Sequence, residues 1–235
     1  MSEFKDKVVI ITGANGNLGT AFAKKMAQKG AILALVSHEK ALLQTLKQEI
    51  GQQAFDFECN LIDSEAVNAC YQQIHQQFGK IDIIANIAGG FTMGPLLHNT
   101  EDKDWNFMMD LNARTVFNSC RAAIPYLLEN KGGKIVNVSA RAAKEGKAKM
   151  APYCASKAAV ITLTESLAAE YRFDNINVNC ILPGTIDTPQ NREDMANADF
   201  SKWVAPEQLA DVILFLSSNA AIAVNGAAVP VFGKS

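Results

Sequence analysis

Short apolar runs alternate along the chain with longer stretches in which apolar residues recur every three or four positions. Continuous runs rich in β-branched residues predict strands buried on both faces, and the periodic stretches predict helices. Several of the helical stretches end at a glycine, which favours a turn before the next strand. The predicted strands are Val8–Ile11, Ala31–Val36, Ala54–Cys59, Ile81–Ile87, Lys134–Ser139, Ile176–Leu182 and Ala227–Phe232.

The alternation of strands and helices is the pattern of a parallel sheet that helices cover on both faces. We therefore expect an α/β fold, a single-domain, Rossmann-like, doubly wound parallel sheet of about seven strands, over residues 1–235. The predicted apolar stripes of the first three helices are Leu18, Phe22 and Met26; Leu42, Leu46 and Ile50; and Val67, Cys70 or Tyr71, Ile74 and Phe78. The later predicted helices are Trp105 to Leu128, Pro152 to Glu170 and Leu209 to Leu216.

The composition supports one folded domain and excludes several classes of function. With 49% hydrophobic residues and a mean hydropathy of +0.02, the 235 residues can bury a sizeable core. The 22 basic and 24 acidic residues give a net charge of −2, which argues against a nucleic-acid or membrane-surface role. The five cysteines are scattered without metal-ligand spacing, so we expect no metal site. Because no apolar segment suits a signal peptide or a membrane span, we expect a cytoplasmic protein. The charge balance does not exclude a small-molecule substrate that is anionic.

The turn between the first strand and the first helix carries glycines at positions 13, 16 and 19. Small residues let the backbone approach a pyrophosphate, and a helix amino terminus offers unpaired N–H groups and a positive potential. An ordinary glycine-bearing turn is the alternative, because the spacing is not Gly-x-Gly-x-x-Gly. The candidate cofactor-binding residues of this turn are Gly13, Asn15, Gly16, Asn17, Leu18 and Gly19.

The residues after the second predicted strand bear on the choice between NAD and NADP. In dinucleotide folds an acid here favours the ribose 2′-hydroxyl of NAD, and a cation favours the 2′-phosphate of NADP. Ser37 and His38 place no acid at the strand end, Glu39 comes slightly late, and Lys40 is within reach of a phosphate. The pattern favours NADP over NAD, and the alternative is that His38 and Lys40 are solvated surface residues.

Tyr153 and Lys157 stand four positions apart in a stretch with helical periodicity. Residues four apart lie on one helix face, so the phenol and the ammonium are expected to point into the same space. A close cation favours the phenolate, which predicts a lowered pKa for Tyr153 and proton exchange near neutral pH. A tyrosine and a lysine at this spacing are also a common accident, so the rest of the chain must support the pair.

The order of the motifs resembles the short-chain dehydrogenase/reductase family over essentially the whole chain. The motifs are Thr12-Gly13-x-x-Gly16-x-x-Gly19, Asn86-x-Ala88-Gly89, Asn112, Ser139, Tyr153-x-x-x-Lys157 and Pro183-Gly184. The resemblance implies an NAD(P)-dependent oxidoreductase in which Tyr153 protonates a carbonyl oxygen and Lys157 lowers the tyrosine pKa and binds the nicotinamide ribose. It also implies that Asn112 kinks its helix and holds a proton-relaying water. The further cofactor-binding residues that it implies are Asn60, Leu61, Asn86, Ala88, Gly89, Tyr153, Lys157, Pro183, Gly184, Ile186 and Thr188.

The chain departs from the family pattern at three places. Asn17 occupies the place of the middle glycine, and Asn60 stands where the family has an adenine-contacting aspartate. The catalytic serine of the family falls at Ala140, and Ser139 is one residue early. Because neighbouring side chains on a strand face opposite sides, Ser139 substitutes for that serine only if the strand end bulges. The stretch from Ala140 to Tyr153 is also similar to quinonoid dihydropteridine reductases, which lack the serine.

Two alternatives to a carbonyl reductase stay open: a dihydropteridine-reductase-like enzyme and a catalytically silent NADP(H)-sensing protein. The cations Arg141, Lys144, Lys147 and Lys149 indicate either an anionic substrate or a solvated loop before the predicted active site. We expect a substrate lid around residues 185–205. The resemblance further implies a homo-oligomer, a dimer or a tetramer, built on the long helices.

Overall fold

Within residues 2–234, seven parallel strands form one sheet, and helices cover both of its faces. The computed structural model describes residues 2–234, so Met1 and Ser235 of the predicted domain 1–235 lie outside the described residues. The strands are β1 (Val8–Thr12), β2 (Ile32–Ser37), β3 (Ala54–Glu58), β4 (Ile83–Asn86), β5 (Gly133–Val138), β6 (Ile176–Pro183) and β7 (Ala228–Val231).

The helices connect the strands in a doubly wound arrangement. They are α1 (Asn17–Gln28), α2 (Lys40–Ile50), α3 (Ser64–Phe78), α4 (Asp102–Met108), α5 (Thr115–Glu129), α6 (Ala151–Glu170), α7 (Pro189–Asp194) and α8 (Pro206–Leu216). The strand order β3-β2-β1-β4-β5-β6-β7 reverses the direction of winding between β1 and β4. In open parallel sheets, ligands bind at the carboxyl ends of the strands beside such a reversal. The predicted Rossmann-like parallel sheet is thereby confirmed.

Alternate residues of each central strand contribute to two separate apolar layers. On β1, Ile11 packs in the layer that contains Phe22 of α1, whereas Ile10 packs in the layer that contains Tyr71 of α3. Successive side chains of a strand point to opposite faces, so both layers draw on one strand. Every residue of β1 is buried, which explains its continuous apolar sequence.

The helical stripes agree with the structure except on α2. There Leu43 and Leu46 are buried, whereas Leu42 is 49% exposed, so its predicted place in the core is wrong. Spacings of three and of four residues are both helical, and the run of neighbouring leucines does not distinguish them. Among residues 2–234, no helix is both long and apolar enough to cross a membrane.

Candidate functional site

The carboxyl ends of β1 and β4 meet at the glycine turn. Gly13 has a left-handed conformation with φ of 63°, and a Cβ there would lie 2.8 Å from Cα of Ala88. Thr12 Oγ1 accepts a hydrogen bond from the N–H of Ala88 at 3.2 Å, which holds the two chain segments together. At Gly19 a Cβ would lie 2.8 Å from Cα of Ala14. The turn therefore packs so closely that only glycine fits at its two ends.

The amino end of α1 carries no side-chain cap. Gly16 is the N-cap residue, no side chain accepts a hydrogen bond from the first turn, and that turn holds no acid. Asn17, at the place of the family's middle glycine, is the exposed first residue of the helix. The buried Leu18 anchors the same turn in the core. Uncapped N–H groups and the helix dipole make this end suited to an anion.

The end of β2 combines an uncharged residue with an acid beside the glycine turn. Ser37 is buried, and its Oγ accepts a hydrogen bond from the N–H of Glu39 at 3.2 Å. Asn15 Nδ2 donates to Glu39 Oε2 at 2.5 Å, which ties the turn to this acid. His38 is exposed. Lys40 Nζ lies 3.7 Å from a carboxylate on β3, so this cation is already paired.

Two asparagines hold the loop after β3: Asn60, which the sequence singled out, and Asn118, which it did not. Asn60 Oδ1 accepts a hydrogen bond from the N–H of Ile62 at 3.1 Å, so its carbonyl closes an Asx turn. Leu61 is buried. Asn118 Nδ2 donates at 3.0 Å to the backbone oxygens of both Leu61 and Ile62. A single asparagine on a helix gives no sequence signal for such a contact with a distant loop.

Asn112 lies in a π-helical segment, Met109–Arg114, between α4 and α5. The long predicted helix is therefore distorted at the residue where the resemblance implies a kink. The buried side chain accepts from the N–H of Gly90 at 3.0 Å and donates to the carbonyl of Gly90 at 3.1 Å. It also donates to Oγ of Ser156 at 3.1 Å, and that hydroxyl donates to the backbone oxygen of Tyr153 at 2.8 Å. Ser156 was not among the predicted site residues.

Lys157 is buried beneath the turn that follows β4. Its Nζ donates to the backbone oxygen of Val138 at 3.0 Å, and it forms no ion pair with any residue in the range 2–234. A Cβ at Gly89 would lie 2.9 Å from this Nζ and 2.7 Å from Oδ1 of Asn112. The missing side chain of Gly89 thus lets the ammonium and the amide lie side by side.

Burial shifts the pKa values of both members of the Tyr153–Lys157 pair. The ammonium of Lys157 loses its hydration, which lowers its pKa to about 8. The predicted lowering of the Tyr153 pKa is wrong: burial raises it to about 12, and the neighbouring Cys154 adds to the rise. The prediction fails because burial of the phenol outweighs the effect of the cation: the Lys157 ammonium is directed at the carbonyl of Val138. The phenol is therefore protonated at neutral pH, which is the state that donates a proton.

The hydroxyl of Ser139 has a structural partner. It is buried and donates to the backbone oxygen of Lys157 at 2.7 Å, so it anchors α6 to the end of β5. Ala140 has an extended backbone with φ of −160° and ψ of 158°, so the two neighbouring side chains face opposite sides. The Ser139 hydroxyl thus has a backbone partner, position 140 offers only a methyl group, and a catalytic role for Ser139 stays a prediction.

The side chain of Asn86 is directed into the core. Its Nδ2 donates to Oδ1 of Asn137 at 2.9 Å, and its Oδ1 accepts a hydrogen bond from Ser119. Asn137 in turn donates to Oγ1 of Thr164 at 2.9 Å, which connects β4 and β5 to α6. The polar atoms of the Asn86 side chain are thus satisfied within this buried row, and a cofactor contact at Asn86 stays a prediction.

The segment after β6 begins at the same edge of the sheet. Pro183 is the last residue of β6, so Gly184, Ile186 and Thr188 follow at the carboxyl edge. Ile186 pairs with Val204 in an isolated bridge, which closes the base of the loop between them. Thr188 Oγ1 caps α7 by accepting a backbone N–H at 3.1 Å. The structure thus places the predicted lid, residues 185–205, in a segment that leaves the carboxyl edge of the sheet and folds back on itself at Val204.

The sheet is doubly wound, and a glycine turn lies at its reversal, on the edge that also carries a buried lysine and a tyrosine. These features define a dinucleotide-binding class of protein. The chain belongs to the short-chain dehydrogenase family, because the family model described as "short chain dehydrogenase" matches residues 7–199. It is therefore an NAD(P)-dependent oxidoreductase of this family.

Individual relatives match the chain over nearly its whole length. The 3-oxoacyl-(acyl-carrier-protein) reductase of Thermotoga maritima is 31% identical over 97% of this chain and 96% of that protein. The 2,3-dihydro-2,3-dihydroxybenzoate dehydrogenase of Bacillus subtilis is 31% identical over 92% of this chain and 90% of that protein. The crystal structure of NAD+-bound xylitol dehydrogenase has a TM-score of 0.90 at 25% identity, covering 98% and 99% of the two chains.

Proposed function

We propose that the protein transfers a hydride between a nicotinamide cofactor and a carbonyl or alcohol substrate, with Tyr153 exchanging the proton at the substrate oxygen. The observation that carries this proposal is the buried Lys157 ammonium, which has no ion-pair partner within the described chain. A buried charge without a counter-charge is unfavourable, so its presence beside the glycine turns points to a reaction site.

The residues at the carboxyl edge fit a dinucleotide. The close packing of Gly13–Gly19 and the uncapped amino end of α1 would hold a pyrophosphate. Asn60 and Leu61 would lie near the adenine, and Gly89 with Pro183–Thr188 near the nicotinamide half. The bound nicotinamide supplies or accepts the hydride. The side chain of Asn86 would support β4 from the core, so a cofactor contact at this residue would come from its backbone.

In this proposal the other polar residues act around the phenol. Tyr153, with its pKa raised to about 12, is protonated at neutral pH and suits the acid role in carbonyl reduction. Lys157 lies beside Gly89, where it would meet the nicotinamide ribose. Asn112 is a positioning residue, because it fixes Gly90 and, through Ser156, the start of α6.

We propose NADP as the preferred cofactor. Ser37 is uncharged, the acid after it, Glu39, is bound by Asn15, and the exposed His38 side chain can turn toward a phosphate. His38→Asp is expected to weaken NADPH binding at least about tenfold and to spare NADH, because an acid repels the 2′-phosphate. Asn106→Asp, at an exposed position on α4, serves as the charge-matched control. If His38→Asp binds NADPH as well as the wild type does, the NADP preference is overturned.

Ala140 favours a second candidate within the same class. A plain ketone gains from a serine hydroxyl that stabilises its oxygen, and position 140 has none. A conjugated substrate, such as quinonoid dihydropterin, depends less on that hydroxyl. Turnover of quinonoid dihydropterin at a kcat/KM well above that of simple ketones would favour this candidate, and the reverse ratio would exclude it.

We also propose a homo-oligomer in the cytoplasm, either a dimer or a tetramer. Phe107 on α4 and Phe117 on α5 are 51% and 43% exposed, and apolar side chains this open favour a protein partner. All five cysteines are free thiols, as in a reducing compartment. Light scattering coupled to size-exclusion chromatography tests the assembly, and a monomer at micromolar concentration would contradict it.

The central experiment is an equilibrium titration with NADPH and NADH, followed by nicotinamide fluorescence and by reductase assays. Tyr153→Phe should bind NADPH within about threefold of the wild type and lose about 10²- to 10⁴-fold in kcat, because only the proton exchange is removed. Tyr126→Phe, which removes a hydroxyl from a ring stacked on His75, is the matched control. Binding of neither cofactor overturns the proposal. A Tyr153→Phe protein that keeps the full biological effect would favour an NADP(H) sensor.

A further inference from the structure

Phe91 packs edge-on against the ring of Tyr153. The ring centroids are 4.9 Å apart and the planes are inclined at 79°, which is the favourable T-shaped geometry of an aromatic pair. The contact joins the loop after β4 to the first turn of α6. Nevertheless, 48% of Phe91 remains exposed. One part of the ring therefore contacts the proposed proton donor, and another part is open to a ligand.

The backbone holds Phe91 in place from both sides. Before it, Gly90 exchanges two hydrogen bonds with Asn112, at 3.0 and 3.1 Å. A Cβ on Gly90 would lie 2.8 Å from a methyl carbon of Leu111, so the backbone here packs close to that side chain. After it, the N–H of Gly94 donates to the backbone oxygen of Lys149 at 2.9 Å. The loop is thus fastened to the π-helical segment that holds Asn112 and to the turn before α6.

The loop that carries Phe91 holds further exposed apolar side chains. Met93 and Leu96 are 61% and 52% exposed. Exposed apolar side chains on a loop beside a reactive group are typical of a ligand-binding site. The methyl group at position 140 offers no hydrogen bond to a substrate. We therefore expect the shape of the site and its apolar contacts to select the substrate.

We propose that Phe91 positions the Tyr153 ring and determines specificity, its exposed face receiving a flat, apolar ring that adjoins the substrate carbonyl. This inference rests on the function proposed above. The ring would stack on Phe91 while the carbonyl oxygen reaches the phenol of Tyr153. A cyclic, conjugated carbonyl compound is thus the substrate class. The raised pKa of Tyr153 is consistent with this arrangement, because a packed apolar ring keeps water from the phenol.

The positioning role is tested in the cofactor-free protein by NMR titration of the labelled tyrosine Cζ carbons. Tyr153→Phe assigns the Tyr153 signal. Phe91→Ala is expected to lower the pKa of Tyr153 by about one unit, because water then reaches the phenol. Phe91→Trp keeps an aromatic ring and should leave the pKa raised. Phe173→Ala, at a residue that is 90% exposed, is the matched control and should have no effect. An unchanged pKa in Phe91→Ala overturns the positioning role.

The specificity role is tested by kcat/KM for a cyclic conjugated ketone and an open-chain ketone with the same number of carbon atoms. In the wild type, kcat/KM should be higher for the cyclic ketone than for the open-chain ketone. Phe91→Ala should reduce the ratio of these two values about tenfold, because the stacking surface is lost. Phe91→Trp and Phe173→Ala should keep the ratio. An equal ratio in Phe91→Ala and the wild type overturns the specificity role.

The two assays separate this inference from the proposed function. If the protein neither binds NADPH nor turns over a carbonyl, the proposed function and the specificity role fail together. The pKa of Tyr153 is measured without cofactor or substrate, so it still decides whether Phe91 positions the phenol. If both ketones are reduced and Phe91→Ala leaves the ratio and the pKa unchanged, only this inference fails.

Discussion

Asn112 binds both backbone polar groups of Gly90 with a single amide side chain. Its Oδ1 accepts the N–H at 3.0 Å and its Nδ2 donates to the carbonyl at 3.1 Å, and the side chain is fully buried. Buried backbone groups need partners, and this amide supplies them where the chain leaves the sheet. The pairing fixes the turn that passes over Lys157 and leads to Phe91. A residue of the distorted helix therefore sets the geometry of the site.

We predict that Asn112→Ala destabilises the protein by about 2 kcal/mol, because it leaves partly buried polar groups of Gly90 without partners. Urea unfolding measures the loss, and hydrogen exchange locates it: the Gly90 amide should be protected in the wild type and exchange rapidly in the variant. Asn106→Ala, an exposed position on α4, is the control and should change neither quantity. Retained protection of Gly90 in Asn112→Ala would show that the pairing does not hold the turn.

A second prediction concerns Lys157, whose pKa of about 8 lies below its ordinary value of 10.5 because of burial. Below pH 8 the native protein carries a buried charge that the unfolded chain solvates, so the full destabilisation is present. As the pH rises from 8 to 10.5, the native ammonium loses its proton first and the destabilisation disappears.

We therefore expect Lys157→Met to be more stable than the wild type by about 2 kcal/mol at pH 7, after allowance for the lost hydrogen bond to Val138. The gain should shrink toward pH 10, while reductase activity is lost at every pH. Thermal unfolding of the cofactor-free proteins at several pH values measures the gain in stability. Lys103→Met, at a 74% exposed side chain, should give no such gain. A gain that stays constant with pH would refute burial of the charge as its source.

The fold was predictable because a strand that is buried on both faces needs apolar residues at every position, and such runs are visible in the sequence. The Val8–Ile11 run is the clearest case, since every residue of β1 is buried. The α2 helix shows the limit: Leu42 and Leu43 are both leucines, and only packing selects Leu43 for the core. Which face of a helix is buried depends on contacts with other elements, and the local periodicity of the sequence does not show those contacts.

The sequence indicates a residue where packing requires one residue type, and not where a side chain merely finds a partner. Gly13 and Gly19 stand out as part of a glycine-bearing turn, and the structure leaves no room for a Cβ at either position. The partners of Asn86 come from two other elements, so nothing local indicated that its side chain turns inward. The pKa of Tyr153 was predicted in the wrong direction, because sequence spacing shows the nearby cation but not the burial.

A third prediction concerns the glycine turn. Gly19→Ala should weaken NADPH binding at least about tenfold, because its Cβ would displace the turn backbone at Ala14 and widen the pyrophosphate cradle. Gly146→Ala is the matched control, since a Cβ there meets no atom within 4 Å. Fluorescence titration gives both dissociation constants, and thermal unfolding checks that the variants are folded. A folded Gly19→Ala protein with unchanged affinity would remove the turn from the cofactor site.

The last prediction separates the two neighbouring positions at the end of β5. Ser139→Ala removes the hydrogen bond to the backbone of Lys157, so we expect a loss of stability of about 1 kcal/mol and a kcat within about threefold of the wild type. Ala140→Ser places a hydroxyl on the opposite side of the strand, where it should raise kcat/KM for a plain ketone. Steady-state kinetics with one ketone and urea unfolding measure both variants. A hundredfold loss of kcat in Ser139→Ala with intact stability would instead assign the catalytic hydroxyl to Ser139, and the strand end would have to bulge in the working enzyme.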